Sequence, residues 1–278
     1  MPDSSDNNAN DKTQTIRGAV ARPVTPWPEL QQQDDWVIEE VPVALAYNGI
    51  SHVVMMASPI LLKEFALGFS FSEGIINSAA DIYDCDIQQH TNGIEIKLEI
   101  SQHCFSALKN RQRQLSGKTG CGICGLESLQ MLERSFKPIH SELQFQHRSL
   151  QKAISSLKQK QPLQTLTGAV HAAAWCDPQG NILHIAEDVG RHNALDKLIG
   201  ILLEQQIDSR LGFISISSRV SFEMAQKAIA IGAPLLVGAS APTSMALSEA
   251  DKYGLCVVGF ARPGRQVVYS QLNRVVEG

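Results

Sequence analysis

The C-terminal half of this chain alternates short apolar runs with amphipathic ones, and that alternation limits the fold more than any other feature. Leu235-Leu236-Val237 is continuously apolar. Such a run suits a strand covered on both faces rather than one with a wet side. Strands are expected at Ala169–Cys176 and Ile182–Ala186, around the turn Asp177-Pro178-Gln179-Gly180, then at 212–217, 235–239 and 255–260. Helices are expected at Arg191–Glu204, 220–231 and 243–252. Strands interleaved with helices predict a mostly parallel, helix-covered sheet, an α/β core over 167–278.

The N-terminal portion has another rhythm. Residues 1–35 are rich in Asp, Asn, Ser and Gln and carry Pro23, Pro26 and Pro28, so a flexible arm is expected there. From Trp36, Val41, Val43, Leu45 and Tyr47 alternate with other residues, and the alternation resumes after Asn48-Gly49. Asn-Gly between such runs predicts a hairpin. Ser58-Pro59 reads as an N-cap and first helical residue. A second hairpin is expected around Asn92-Gly93. The portion 36–117 is therefore a smaller, β-rich α+β unit. The segment 118–125 reads as a mobile loop, and 126–166 as a helical connection with helices near Glu127–Arg134 and 149–160.

With 44% hydrophobic and 19% charged residues, the chain reads as an ordinary globular protein. A net charge of -4 argues against a general nucleic-acid binder. No apolar run is long enough to span a membrane, and the polar start Met1-Pro2-Asp3-Ser4 is no secretory signal. The scattered cysteines do not form a disulfide framework, so a reducing, cytoplasmic setting is expected.

Two constellations carry chemistry. In an open α/β sheet, ligands bind beyond the carboxyl ends of the strands. Here four strands run into Glu187-Asp188-Val189-Gly190-Arg191-His192, Ser217-Ser218-Arg219, Ser240-Ala241-Pro242-Thr243-Ser244 and Phe260-Ala261-Arg262-Pro263-Gly264-Arg265. Three of these lead into helix N-termini, which favour anions. Arg191, Arg219, Arg262 and Arg265 add forks suited to phosphate. Any one loop is explained by capping; four on one edge favour a pocket for a nucleotide-like ligand. The chain has neither a Walker loop nor a G-x-G-x-x-G motif.

The other constellation is Lys118-Thr119-Gly120-Cys121-Gly122-Ile123-Cys124-Gly125. A C-x-x-C among glycines, with basic residues upstream, fits a persulfide carrier whose thiolate is activated by nearby cations. Dithiol redox, a zinc half-site and an incidental pair are the other readings. Zinc needs four ligands, and only one C-x-x-C is present. His171 reads as a core histidine in preference to a catalyst, and His192 as a cap or a ligand contact.

Taken together, these motifs resemble the formate dehydrogenase accessory sulfurtransferase family, FdhD. The resemblance rests on Glu39–Leu45, Tyr47-Asn48-Gly49, Phe65–Phe69, Ser72–Ile76, Thr119–Gly125, Glu187–His192 and Phe260–Arg265. It covers about residues 36–270. It implies a cytidine-deaminase-like three-layer C-terminal core and a cytoplasmic homodimer. It implies a sulfur carrier that accepts sulfur from a cysteine desulfurase as a persulfide on Cys121, with Cys124 auxiliary. The sulfur then passes to the molybdenum cofactor, bis-molybdopterin guanine dinucleotide, before insertion into the catalytic subunit of formate dehydrogenase. The family's cofactor-binding segment matches Phe260, Ala261, Arg262, Pro263, Gly264 and Arg265. Arg219, Ser217, Ser218 and His192 are the further candidates, and GDP is expected to occupy the same pocket. No structural metal, nucleic acid or membrane is implied. His192-Asn193-Ala194 lacks the glutamate of the deaminase zinc signature, which disfavours deaminase chemistry.

Overall fold

The computed structural model describes residues 15–277 except 17, 30 and 117–133. Cys121, Cys124 and the helix expected at 127–134 therefore lie outside the described residues, save Arg134, which is not helical.

Strands β1 (Thr15–Ile16), β2 (Ala19–Val24) and β3 (Gln33–Ile38) form a small antiparallel sheet. This corrects the expectation of an arm for that part of 1–35. Strands β2 and β3 pair from Ala19↔Ile38 to Val24↔Gln33, which satisfies the backbone that composition leaves to solvent. Ala19 is fully buried in a cluster with Leu163 and Val170, and Trp36 and Ile38 pack against it.

The Asn48-Gly49 hairpin forms as expected. Strands β4 (Val41–Tyr47) and β5 (Ile50–Ala57) flank it, and both turn residues have positive φ, 45° and 79°. Helix α1 (Leu62–Ser72) follows, but not with the expected cap. Ser58 is fully buried and bonded to the distant Asp188, so α1 starts three residues after Pro59, behind Leu61 at φ 52°. Strands β6 (Ile82–His90) and β7 (Gly93–Ile100) form the second hairpin, pairing His90↔Gly93. The four strands lie in the order β5-β4-β7-β6. Val43, Leu45, Tyr47, Ile96 and Leu98 project onto Phe65, Ala66 and Phe69 of α1. The basic stretch 101–117 is largely helix α2 (Gln102–Ser116), which buries Cys104, Phe105 and Leu108 on the same core.

The short strand β8 (Phe145–Gln146) leads into α3 (His147–Leu157) and α4 (Pro162–Thr167). The main sheet comprises β9 (His171–Cys176), β10 (Ile182–Asp188), β11 (Phe213–Ile216), β12 (Leu235–Gly238), β13 (Cys256–Arg262) and β14 (Arg265–Val268). Helices α5 (Arg191–Glu204), α6 (Phe222–Ala230) and α7 (Ser244–Tyr253) connect them, and β15 (Val275–Val276) pairs with β8. The order is β10-β9-β11-β12-β13-β14.

This sheet is mixed rather than mostly parallel. Only β11–β12 and β12–β13 are parallel neighbours. The hairpin turns Asp177–Gly180 and Pro263-Gly264 reverse the chain and make β9–β10 and β13–β14 antiparallel. Because β9 is antiparallel to both β10 and β11, the strands β10, β11, β12 and β13 still point one way. Their carboxyl ends share one edge, and this topology agrees with a deaminase-like core. Both faces are covered. Leu235, Val237, Cys256 and Val258 pack on Leu150 and Ala153 of α3, while Leu236 and Val257 pack among α5, α6 and α7. The continuous apolar runs are the trace of this three-layer burial.

Helix α1 also crosses α5, which joins the N-terminal sheet to the main one. The crossing is closed by glycine on each side: a Cβ on Gly68 would sit 1.8 Å from the Asp196 carbonyl oxygen, and one on Gly200 1.9 Å from that of Glu64. No described helix is long and apolar enough to cross a membrane.

Candidate functional site

The carboxyl edge of the main sheet is built by backbone before any side chain acts. The amide of Ser240 donates to the Ser218 carbonyl at 3.4 Å, and that of Phe260 donates to the Ser240 carbonyl at 3.1 Å. The segments after β11 and β12 and the end of β13 are therefore laced side by side. Val220 exchanges further backbone bonds with Ala241 and Thr243. Helices α5, α6 and α7 all begin here, so their unpaired N–H groups face this edge.

The expected site residues divide into three groups. The first, 187–192, is mostly structural. Glu187 is buried, and its carboxylate caps α4 by accepting from the amides of Leu163 and Gln164 at 3.1 and 2.9 Å. Burial raises the Glu187 pKa, and those two amides oppose the shift. Asp188 is fully buried and accepts from the Ser58 amide, the Gly190 amide, the Asn193 side chain and Lys197 Nζ, the last at 2.5 Å. His192, in the first turn of α5, is half-buried with Nε2 3.8 Å from a Glu223 carboxylate oxygen. Burial, then the charge of Arg191, lowers the His192 pKa and favours a neutral ring.

Ser217, Ser218 and Arg219 form the second group. Ser217 Oγ accepts from the Ala172 amide at 2.9 Å and lies 3.5 Å from His171 Nδ1. Ser218 is buried, and its hydroxyl donates to the Arg219 carbonyl, whereas the Arg219 side chain is exposed. The third group, 260–265, is not a strand-to-helix loop. It is the tip of the β13–β14 hairpin, with Arg262 opposite Arg265. Phe260 adopts φ 50°, and its ring lies under the Arg265 guanidinium, 5.3 Å from centroid to carbon. Ala261 is buried, while Arg262, Pro263, Gly264 and Arg265 are exposed. The Gly264 amide donates to Gln151 of α3, which holds the tip against the sheet.

On the α3 face of this edge lies a cavity of about 580 Å³. Lys158, Gln161, Gln164, His171, Ser217 and Ala239 help line it. His171 is thus half-buried at the mouth of a crevice rather than in the core, and burial followed by Arg191 holds its pKa down. The signal was present in sequence only as an isolated polar residue heading an apolar strand. The structure brings Ser217 and His171 together in this cavity. It holds the arginine hairpin beside the same edge and sets His192 on the opposite, α5–α6 face.

The two flanks of the undescribed segment 117–133 sit elsewhere. Arg111 donates to the Glu73 and Gly74 carbonyls, and Arg134 donates to that of Ser72. Both flanks are therefore pinned to the C-terminal end of α1. Residues after Arg134 run along the amino ends of the strands: Ile139 bonds to the Tyr253 carbonyl just before β13.

Comparison with known proteins follows this layout over nearly the whole chain. A curated protein of Cupriavidus necator called sulfur carrier protein FdhD is 48% identical over 247 residues, 89% of this chain and 86% of that one. A crystal structure from Desulfotalea psychrophila, described as that of a formate dehydrogenase accessory protein, superposes with a TM-score of 0.72. It shares 25% identity and covers 93% of this chain and 99% of its own. The family model described as FdhD/NarQ matches residues 38–276, which span both sheets and the crossing that joins them, and the chain belongs to the FdhD/NarQ family.

Proposed function

We propose that this protein is a sulfur carrier in the maturation of formate dehydrogenase, acting in the cytoplasm as a homodimer. The observation that carries the reading is the 48% identity, over most of both chains, to a protein named a sulfur carrier. The description of the structural neighbour as a formate dehydrogenase accessory protein supports the target.

In the proposed chemistry the Cys121 thiolate attacks the outer sulfur of a cysteine desulfurase persulfide. The donor S–S bond breaks, a new one forms on Cys121, and the donor cysteine leaves as thiolate. The step is isoelectronic and needs no outside oxidant. The receiver is the molybdenum cofactor, as bis-molybdopterin guanine dinucleotide, which enters as substrate at the carboxyl edge. Arg262 and Arg265 supply guanidinium forks for its phosphates, Phe260 an aromatic face, and Arg219, Ser217, Ser218 and His192 further contacts. Sulfane sulfur becomes sulfide on transfer, which takes two electrons. A thiol at Cys124 supplies them by closing a Cys121–Cys124 disulfide. This makes the protein a sulfurtransferase whose intermediate is stoichiometric.

Mass spectrometry after incubation with a desulfurase and cysteine is expected to show one added sulfur on Cys121. Cys121→Ala should abolish both that label and maturation of the target enzyme. A Cys121→Ala protein that matures formate dehydrogenase at the normal rate would instead identify a cofactor-holding chaperone. Calorimetry tests the receiving edge separately. GDP binding is expected to weaken at least tenfold in Arg265→Ala, and no measurable binding to the unaltered protein would remove the nucleotide pocket.

A further inference from the structure

A second cavity of about 580 Å³ opens at the amino ends of the strands, on the edge opposite the crevice. Its floor is apolar, made by Phe71, Phe136, Ile139, Ile229 and Ile231. Its lining carries the basic side chains of Arg134, Lys137, Arg210 and His140, with no carboxylate among the described lining residues. In a chain of net charge -4 this is a local exception.

The basic side chains are not equivalent. Arg210 is engaged by Asp208 through two bonds of 2.8 and 2.7 Å, so its charge is largely met. The Arg134 guanidinium donates to the Ser72 carbonyl and lies over the Phe136 ring, 4.9 Å from its centroid. Among the described residues, the acidic group that acts on it is Glu73, which is itself held by Lys227 at 3.1 Å. Lys137 and His140 stand exposed at the rim.

We infer that this cavity docks the protein that supplies sulfur, and that it takes an acidic surface segment carrying an apolar anchor residue. The inference rests on the carrier reading and adds to it a place and a partner chemistry. An apolar floor inside a charged rim is the anatomy of a protein contact, in which a buried anchor holds and the rim steers. Position supplies the second argument. Arg134, the first described residue after the cysteine segment, and Arg111, in the helix that precedes it, both bond to the end of α1, and Arg134 lines the cavity. A donor seated here lies against Arg134, next in sequence to the cysteine segment, while the opposite edge stays open to the receiver. Charge complementarity selects an acidic donor surface and makes its association sensitive to salt.

The test uses the full chain, a purified cysteine desulfurase, and inorganic polysulfide as a donor that needs no docking. Lys137→Glu, alone and with Ser135→Glu, places negative charge at the rim on exposed positions. Desulfurase-dependent sulfur loading is expected to fall at least tenfold in the double variant, and desulfurase affinity to fall similarly by calorimetry. Loading by polysulfide should stay at the unaltered level. Normal loading by the desulfurase overturns the docking site and leaves the carrier reading standing. Loss of loading by both donors places the effect on the cysteine or the fold and also overturns it. An unaltered protein that takes sulfur from neither donor sinks the carrier reading itself.

Discussion

Replacing Lys197 by methionine is expected to cost this protein about 3–5 kcal/mol of folding stability, the usual loss when one partner of a buried ion pair is removed. Lys197 is fully buried, with Nζ 2.5 Å from a carboxylate oxygen of Asp188 and 2.9 Å from the Ser58 carbonyl oxygen. Burial pushes the Lys197 pKa down and the Asp188 charge opposes this, so the ammonium depends on its partner. Without Lys197 the Asp188 carboxylate keeps its N–H donors but loses its counter-charge in a site closed to water. Ser58 precedes α1, while Asp188 ends β10, so the pair ties the two portions of the chain. The double variant Asp188→Asn/Lys197→Met removes both charges and should recover most of the loss, since replacing a whole buried pair is often near neutral. Urea denaturation of the two variants and the parent measures this coupling. Equal stability of the single variant and the parent would show that the pair carries no structural weight.

The same residues show what was legible in sequence. Leu235-Leu236-Val237 announces a covered strand because burial on both faces erases alternation, and the structure places it between α3 and the α5–α7 layer. Asn48-Gly49 announces its hairpin because both positions require positive φ. Strand direction was only partly legible. The turn at Asp177–Gly180 was visible, but not that β9 inserts between β10 and β11. Glu187 and Asp188 read as part of a ligand loop because their partners, Leu163, Gln164 and Ser58, lie more than twenty residues away. Ser58 read as a cap for the same reason: its partner is 130 positions distant. Helix α2 carried a signal in the spacing of Cys104, Phe105 and Leu108, masked by the polar residues between and after them. In the candidate site the arginine hairpin was legible as a motif. The cavity at His171 was not, because it arises where α3 and the α4–β9 connection approach the sheet edge.

Alanine at Gly200 is expected to lower stability by roughly 3 kcal/mol or more, although alanine is the better helix former by about 1 kcal/mol. The opposing terms differ in kind. The propensity gain belongs to α5 alone, whereas the cost belongs to its contact with α1. A Cβ at Gly200 would lie 1.9 Å from the Glu64 carbonyl oxygen, and the obstacle is backbone, so no rotamer change relieves it. The helices must separate, and separation disturbs what the crossing holds in place. Ser72 Oγ donates to Asp196 at 2.6 Å, and Lys227 Nζ reaches Ser72, Glu73 and Asp196 within 3.1 Å. Burial of Lys227 is more than offset by the two carboxylates, which raise its pKa and keep it charged. A shift of α1 by a fraction of an ångström therefore strains an ionic cluster as well as an apolar seam. Gly68 faces the Asp196 carbonyl oxygen across the same crossing, so Gly68→Ala should be similarly costly. The two are not expected to add. Once one methyl has parted the helices the second meets a wider gap, and the double variant should lose clearly less than the sum. Thermal denaturation of both single variants and the double variant decides it. A raised melting temperature for Gly200→Ala would mean that helix propensity governs this position and the close crossing does not.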